Sequence, residues 1–224
     1  MRMDGAVSER VRVRRHGDRG VYDQAVIEQI LDEAYICHVG FVADGQPMVL
    51  PTVHVRVGSA VYLHGAVANA MFAAAVGHSI CVTATIIDGL VMARSVYDHS
   101  MNYRSVVVLG VAEDVTDPDE KRMALRALVD HVVAGRSRDA REASDNEVLA
   151  TRVLRLRIAE ASAKVRSGPP TDADENLALP VWAGVVPLRL VAGAPEPDAL
   201  MAGDVPLPEY LEPERVTARG ASRG

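Results

Sequence analysis

The chain has 224 residues, 49% of them hydrophobic and 24% charged, which suits one well-cored domain with appendages and excludes a disordered polymer. A net charge of −6 and a pI near 5.6 argue against nucleic acid or an anionic membrane surface as partner, because phosphate binding needs a positive face. Only 4% of residues are aromatic, so the core must be built from Val, Leu, Ile and Ala, a composition that leans towards β-structure.

Residues 1–20 read as a basic arm that lacks the apolar stretch of a signal peptide, so a cytoplasmic location is expected. Asp23 then caps a helix, with Tyr22 and Ile27 placed as a hydrophobic staple and Val26, Ile27, Ile30, Leu31 and Ala34 forming one apolar stripe. From Tyr35 the period changes. Strands are expected at Tyr35–Ala43 and Pro47–Val57 around an Asp44-Gly45 hairpin turn, and again at Val61–His64. A short helix, Asn69–Val76, interrupts the meander. Strand Ile80–Ile87 is expected to turn at Asp88-Gly89 into Leu90–Ser95, and Ser105–Val115 is the next strand. Capping boxes are expected at Asp117 with Glu120 and at Ser144 with Glu147, each opening a helix. Arg152–Glu160 alternates as a strand, Val185–Val191 forms a last one, and the Pro- and Glu-rich tail, residues 192–224, is expected to be extended or mobile.

Six or seven strands in tight-turn order, with no βαβ alternation, predict an α+β fold around a small, mainly antiparallel barrel with peripheral helices. Residues 21–191 form its single domain. No phosphate-binding glycine loop, nucleophile elbow or zinc-protease motif is present. Cys37 and Cys81 read as buried thiols on strands, and no metal site is expected. His38 and His54 fall on neighbouring predicted strands, but no third ligand accompanies them. The polar residues instead gather at strand ends. His64-Gly65 leads into the short helix, and Ser100 to Ser105 leads into a valine strand, placing donors and an aromatic face at a barrel rim. That suits a planar, hydrogen-bonding, anionic ligand, although a solvated loop held by an arginine ion pair accounts for the same residues.

Several segments also resemble a known family. They are Arg19-Gly20-Val21-Tyr22-Asp23, Cys37 to Val42, Val61-Tyr62-Leu63-His64-Gly65, Asp88 to Ser95, His99 to Val106, Ser162 to Arg166 and Pro180 to Val185. In this order, over about residues 14 to 190, the chain resembles the flavin-nucleotide-binding branch of the pyridoxamine 5′-phosphate oxidase-like superfamily, which includes relatives of the nitroimidazole-resistance proteins. The resemblance implies a Greek-key-like split β-barrel and a homodimer with FMN at the subunit interface. It places Pro51 and Thr52 along the isoalloxazine ring and Arg104 and Ser105 against the flavin, with Asn102 and Tyr103 beside them. His64, Gly65 and Asn69 fall at the phosphate end, and Lys164, Arg166 and Trp182 are contributed by the partner subunit. One departure stands out. Where the family places a basic pair at the helix start to hold the phosphate, this chain has Asn69 and Ala70.

An FMN-dependent oxidoreductase acting on a small molecule or electron donor is therefore expected, with His64 or Tyr103 as candidate proton donor. The alternatives are a non-catalytic flavin-storage protein, or the same fold holding haem, through His64 or His99, or a deazaflavin.

Overall fold

A computed structural model describes residues 5–217; the first four residues of the basic arm and the last seven of the tail lie outside the described residues. The strands are β1 (Gly20–Val21), β2 (Ile36–Ala43), β3 (Gln46–Val57), β4 (Ala60–Ala66), β5 (Ser79–Met92), β6 (Ser100–Val111), β7 (Glu113–Asp114), β8 (Thr151–Arg157), β9 (Glu160–Arg166) and β10 (Gly184–Pro187). They form one antiparallel sheet in the order β1-β9-β6-β5-β2-β3-β4-β8-β7, with β10 on the free stretch of β5. The sheet curls without closing, which is the α+β split barrel expected. Gly110 of β6 permits a close approach across it, since a Cβ there would lie 2.8 Å from Leu156 Cδ1 of β8.

Inward-facing Cys37, Val39, Val61, Leu63, Val82, Ala84, Val106, Val108, Leu154 and Leu156 fill the barrel. Helix α1 (Gln24–Glu33) closes one end with Ile27, Ile30 and Leu31, and α2 (Ala70–Ala75) adds Met71, Phe72 and Ala75. Each such aliphatic side chain contributes about 1.5–3 kcal/mol on burial. A second cluster, Val55, Tyr62, Val115, Leu128 and Val153, lies beneath α3 (Pro118–Val132). Two buried imidazoles tie the end of α1 to its neighbours. His54 Nε2 donates to Leu31 O at 3.0 Å and His131 Nε2 to Ala34 O at 2.9 Å, with ring centroids 5.0 Å apart.

Several local signals formed as read. Asp23 accepts from Val26 N, and Ser144 and Glu147 complete a reciprocal capping box at the start of α4 (Asp145–Ala150). Asp44 and Gly45 both take positive φ, 50° and 74°, as the hairpin turn requires. Five expectations need correction. Asp117 caps α3, but Glu120 does not return the bond, because its carboxylate is held by Tyr62 and Arg155. Asp88-Gly89 is a bulge within the single strand β5, whose pairing with β6 continues on both sides of it. The polar run from Ser100 is part of β6, and β9 is an additional strand joined to β8 by a tight turn. Cys37 is buried but Cys81 is only half-buried.

The described part of the tail is tied back onto the domain. It ends in α5 (Pro213–Thr217), where Thr217 Oγ1 accepts from Ala192 N, and Tyr210 donates to Asp139 beyond α3. No helix among the described residues is long and apolar enough to cross a membrane.

Candidate functional site

The barrel face gains its first polar group at the end of β4. His64 is half-buried, its Nδ1 has no hydrogen-bond partner among the described residues, and burial lowers its pKa, favouring the neutral ring. Gly65 follows because there is no room for a side chain: a Cβ there would lie 2.6 Å from the Phe72 ring. Asn69 caps α2, its Oδ1 accepting from Met71 N at 2.9 Å, and Ala70 is the first helical residue. This helix start therefore offers no cation.

Alternation along β6 sends its polar run to two sides. Arg104 is consumed by acids: Nε and Nη2 reach Asp88 at 3.0 and 2.9 Å, and Nη1 pairs with Glu33 at the end of α1. These hydrogen bonds to Asp88, offset in part by burial and reinforced by Glu33, raise its pKa. Tyr103 and Ser105 point the other way. The register sets Tyr103 opposite Arg166 and Ser105 opposite Lys164, so the four share one face of the β6–β9 pair. Ser105 Oγ donates to Lys164 O at 3.3 Å, and Lys164 Nζ donates to Arg15 O at 3.1 Å.

Arg166 is only 8% exposed and reaches over the strand end. Its Nη atoms donate to Asn102 Oδ1, Gly168 O and Pro169 O, while Asn102 Nδ2 donates to Gly168 O. Burial, then repulsion by Arg19, lowers its pKa. The loop that starts at Gly168 is pinned again by Asp172, which accepts from Arg94 N and Nη1. Beyond it, Trp182 is largely exposed and lies against Gly184, where a Cβ would come 3.1 Å from the indole.

A cleft of about 990 Å³ opens beside β5. It exists because β5 is longer than its partners on that edge. The β2 ladder stops at Ala84 and the β10 ladder begins at Gly89, so Thr85, Ile86 and Ile87 pair only with β6. The walls are Glu33 to Ile36, His38, Pro51, the Thr85–Asp88 stretch, Arg104, the end of α3, Leu188–Val191 after β10, and the tail residues Ala192, Val216 and Thr217. The volume and mostly apolar lining match a small-molecule site.

Of the residues singled out from sequence, Pro51 and Arg104 line this cleft, and Tyr103, Ser105, Lys164 and Arg166 form the adjoining face. Thr52, opposite Cys37, is half-buried in the neighbouring row. His64, Gly65 and Asn69 form a separate group at the β4–α2 junction, and Trp182 stands outside the cleft lining. His38 and His54 do not meet: His38 pairs with Pro51 and lines the cleft, while His54 is buried against α1. Sequence reading missed Glu33 and Asp88 as the partners of Arg104, and it put Leu188 to Val191 in the last strand, whereas β10 ends at Pro187 and these residues wall the cleft. Among the described residues no group of three or more His, Cys, Asp or Glu could hold a metal ion.

A family model described as pyridoxamine 5′-phosphate oxidase matches residues 23–165. Among solved structures, the flavocytochrome Anf3 from Azotobacter vinelandii is 44% identical, with 92% of this chain and 96% of that one covered and a TM-score of 0.87. An FAD- and haem-binding protein from Mycobacterium smegmatis is 35% identical over 86% of this chain and 95% of its own, with a TM-score of 0.82. A candidate 5-nitroimidazole antibiotic resistance protein from Bacteroides thetaiotaomicron is 25% identical over 65% of this chain and 86% of its own, with a TM-score of 0.56. Comparison with curated proteins returns no match.

Proposed function

The chain belongs to the pyridoxamine 5′-phosphate oxidase family, and from that premise we propose that it is a flavin-binding redox protein working as a pair of identical chains. The observation that carries this reading is the near full-length likeness to a flavocytochrome and to an FAD- and haem-binding protein, joined to a cleft of flavin size. The residues fit a flavin. The β5 edge at Thr85–Ile87 offers backbone groups without a strand partner to the rim of a planar ring, Pro51 and Ile87 supply apolar contact, and cations stand on the adjoining face. The bound flavin would supply the electron chemistry. The chain's part is to orient it and, at His64 or Tyr103, to hold a proton for a small-molecule substrate or electron donor.

Pairing of two chains is supported by the β2–β3 hairpin, which leaves Val42 and Val49 60% and 64% exposed with Met48 and Leu50 beside them. The flavin is FMN or FAD. The cation-free start of α2 leaves the phosphate end to other residues, and one relative carries FAD. Haem as a companion cofactor is the second reading, favoured by the names of both relatives. His99 donates Nδ1–H to Ser95 O at 2.8 Å, which leaves Nε2 as the free ligating nitrogen, and His64 presents a bare Nδ1.

The test is the absorption spectrum of purified protein with mass identification of what heat releases. Bands at about 450 nm with FMN or FAD in the supernatant support the flavin reading, and an added Soret band at about 400 nm supports haem. A colourless protein that takes up neither FMN nor FAD refutes the reading. Bleaching by NADH or NADPH then separates an oxidoreductase from a storage protein, and the released mass identifies a deazaflavin.

A further inference from the structure

The β1–β9 edge carries three cations that find no acid among the described residues. Arg166 is more than nine-tenths buried, yet among the described residues no carboxylate lies within ion-pair range of it, and its Nε has no hydrogen-bond partner. Its other nitrogens are met only by the neutral oxygens of Asn102, Gly168 and Pro169. Two residues before it on β9, Lys164 spends its ammonium on the Arg15 carbonyl. Gly20 of β1 pairs with Lys164, so Arg19, the residue before it, is set beside the end of β9, close enough to Arg166 for the two guanidinium groups to repel. Arg19 likewise has no acidic partner among the described residues.

This is unusual in a chain of net charge −6. Other part-buried arginines of the sheet are answered by acids: Arg56 by Asp32, Arg104 by Asp88 and Glu33, Arg155 by Glu113 and Glu120. A buried guanidinium without a counter-charge is costly, and a bound anion removes the cost. Next to the cations stand two hydroxyls on the same face, Tyr103 and Ser105.

We propose that Arg19, Lys164 and Arg166, with Tyr103 and Ser105, form an anion subsite that holds the phosphate end of the flavin nucleotide. The assignment rests on the flavin reading above and supplies the cation that Asn69 and Ala70 do not. The geometry is commensurate. Ile87 at the cleft, Tyr103 and Arg166 are consecutive partners across β5, β6 and β9, two strand spacings or roughly 10 Å, within the reach of a ribityl chain from a ring seated in the cleft. The cleft itself is a poor phosphate site, because Arg104 there is outnumbered by Asp88 and Glu33.

The experiment compares riboflavin, FMN and FAD binding to cofactor-stripped protein by flavin fluorescence, for the parent chain and for Arg19→Gln, Lys164→Gln and Arg166→Gln. The parent is expected to prefer the nucleotides over riboflavin by about tenfold or more, as a charged phosphate contact implies. Each variant should lose most of that preference while its riboflavin affinity is unchanged. Arg19→Gln and Lys164→Gln carry the test if the buried Arg166→Gln fails to fold. A parent preference that survives in Arg19→Gln and Lys164→Gln overturns the subsite and leaves the flavin reading standing. A parent that binds none of the three flavins overturns both.

Discussion

Arg104 is where a ligand-contacting role and a structural one make different predictions. Its guanidinium joins the last residue of α1, Glu33, to the β5 bulge at Asp88 through three hydrogen bonds, and 27% of its side chain is exposed. Replacing it by Gln leaves two carboxylates facing each other at the cleft mouth. Hydrogen bonds to charged groups contribute about 1.5–3 kcal/mol each when buried, and partial exposure here cuts the set to about 2–3 kcal/mol in total. For a domain of this size that is a fall in Tm of roughly 5–10 °C. Urea unfolding of Arg104→Gln and of the triple variant Arg104→Gln, Asp88→Asn, Glu33→Gln measures it. The triple variant should recover at least half of the loss, because repulsion between the two acids is gone. A loss below about 0.5 kcal/mol for the single variant would show these pairs to be no better than solvated surface pairs. If Arg104→Gln instead keeps its stability but loses flavin, the guanidinium serves the ligand and not the fold.

Three further outcomes follow from packing and titration. Gly65→Ala drives a methyl into the Phe72 ring and should cost about 1–3 kcal/mol in urea unfolding, with Phe72→Leu in the same chain restoring part of it; additive losses would contradict the contact. His64 is buried towards its neutral form, so the unfolded chain takes up its proton first. Its contribution to stability is complete above pH 6.5 and is lost as the pH falls below that value; the parent should lose Tm relative to His64→Gln between pH 7 and about 5, and parallel curves would refute the shift. The Glu147 carboxyl is held down to about 2 by Arg141 and then by the Ser144 amide and hydroxyl. Its contribution is present above the ordinary value of 4.5 and vanishes as the pH falls to about 2, so melting of the parent and Glu147→Gln should converge over that window and differ above it.

How much was legible follows from the sequence distance between interacting groups. The Asp23 and Ser144 caps and the Asp44-Gly45 turn are decided within a few residues, and all three formed as read. Glu120 sits at the right spacing for a capping box, but Tyr62 and Arg155, 58 and 35 residues away, take its carboxylate. Asp88-Gly89 has the chemistry of a turn. The uninterrupted partner strand β6 holds the chain straight through it, and a bulge is the result. The candidate site shows the same division. Motif resemblance singled out the β6 run and the β9 cations as candidates, while the acids that engage Arg104 and the tail that walls the cleft come from distant stretches of chain.

Native mass spectrometry of the purified protein tests the central claim most directly, since it reads chain number and bound cofactor together. The account predicts a species of two chains retaining flavin, with two flavins at full occupancy. A single chain that carries no flavin, and gains none on incubation with FMN or FAD, would contradict it.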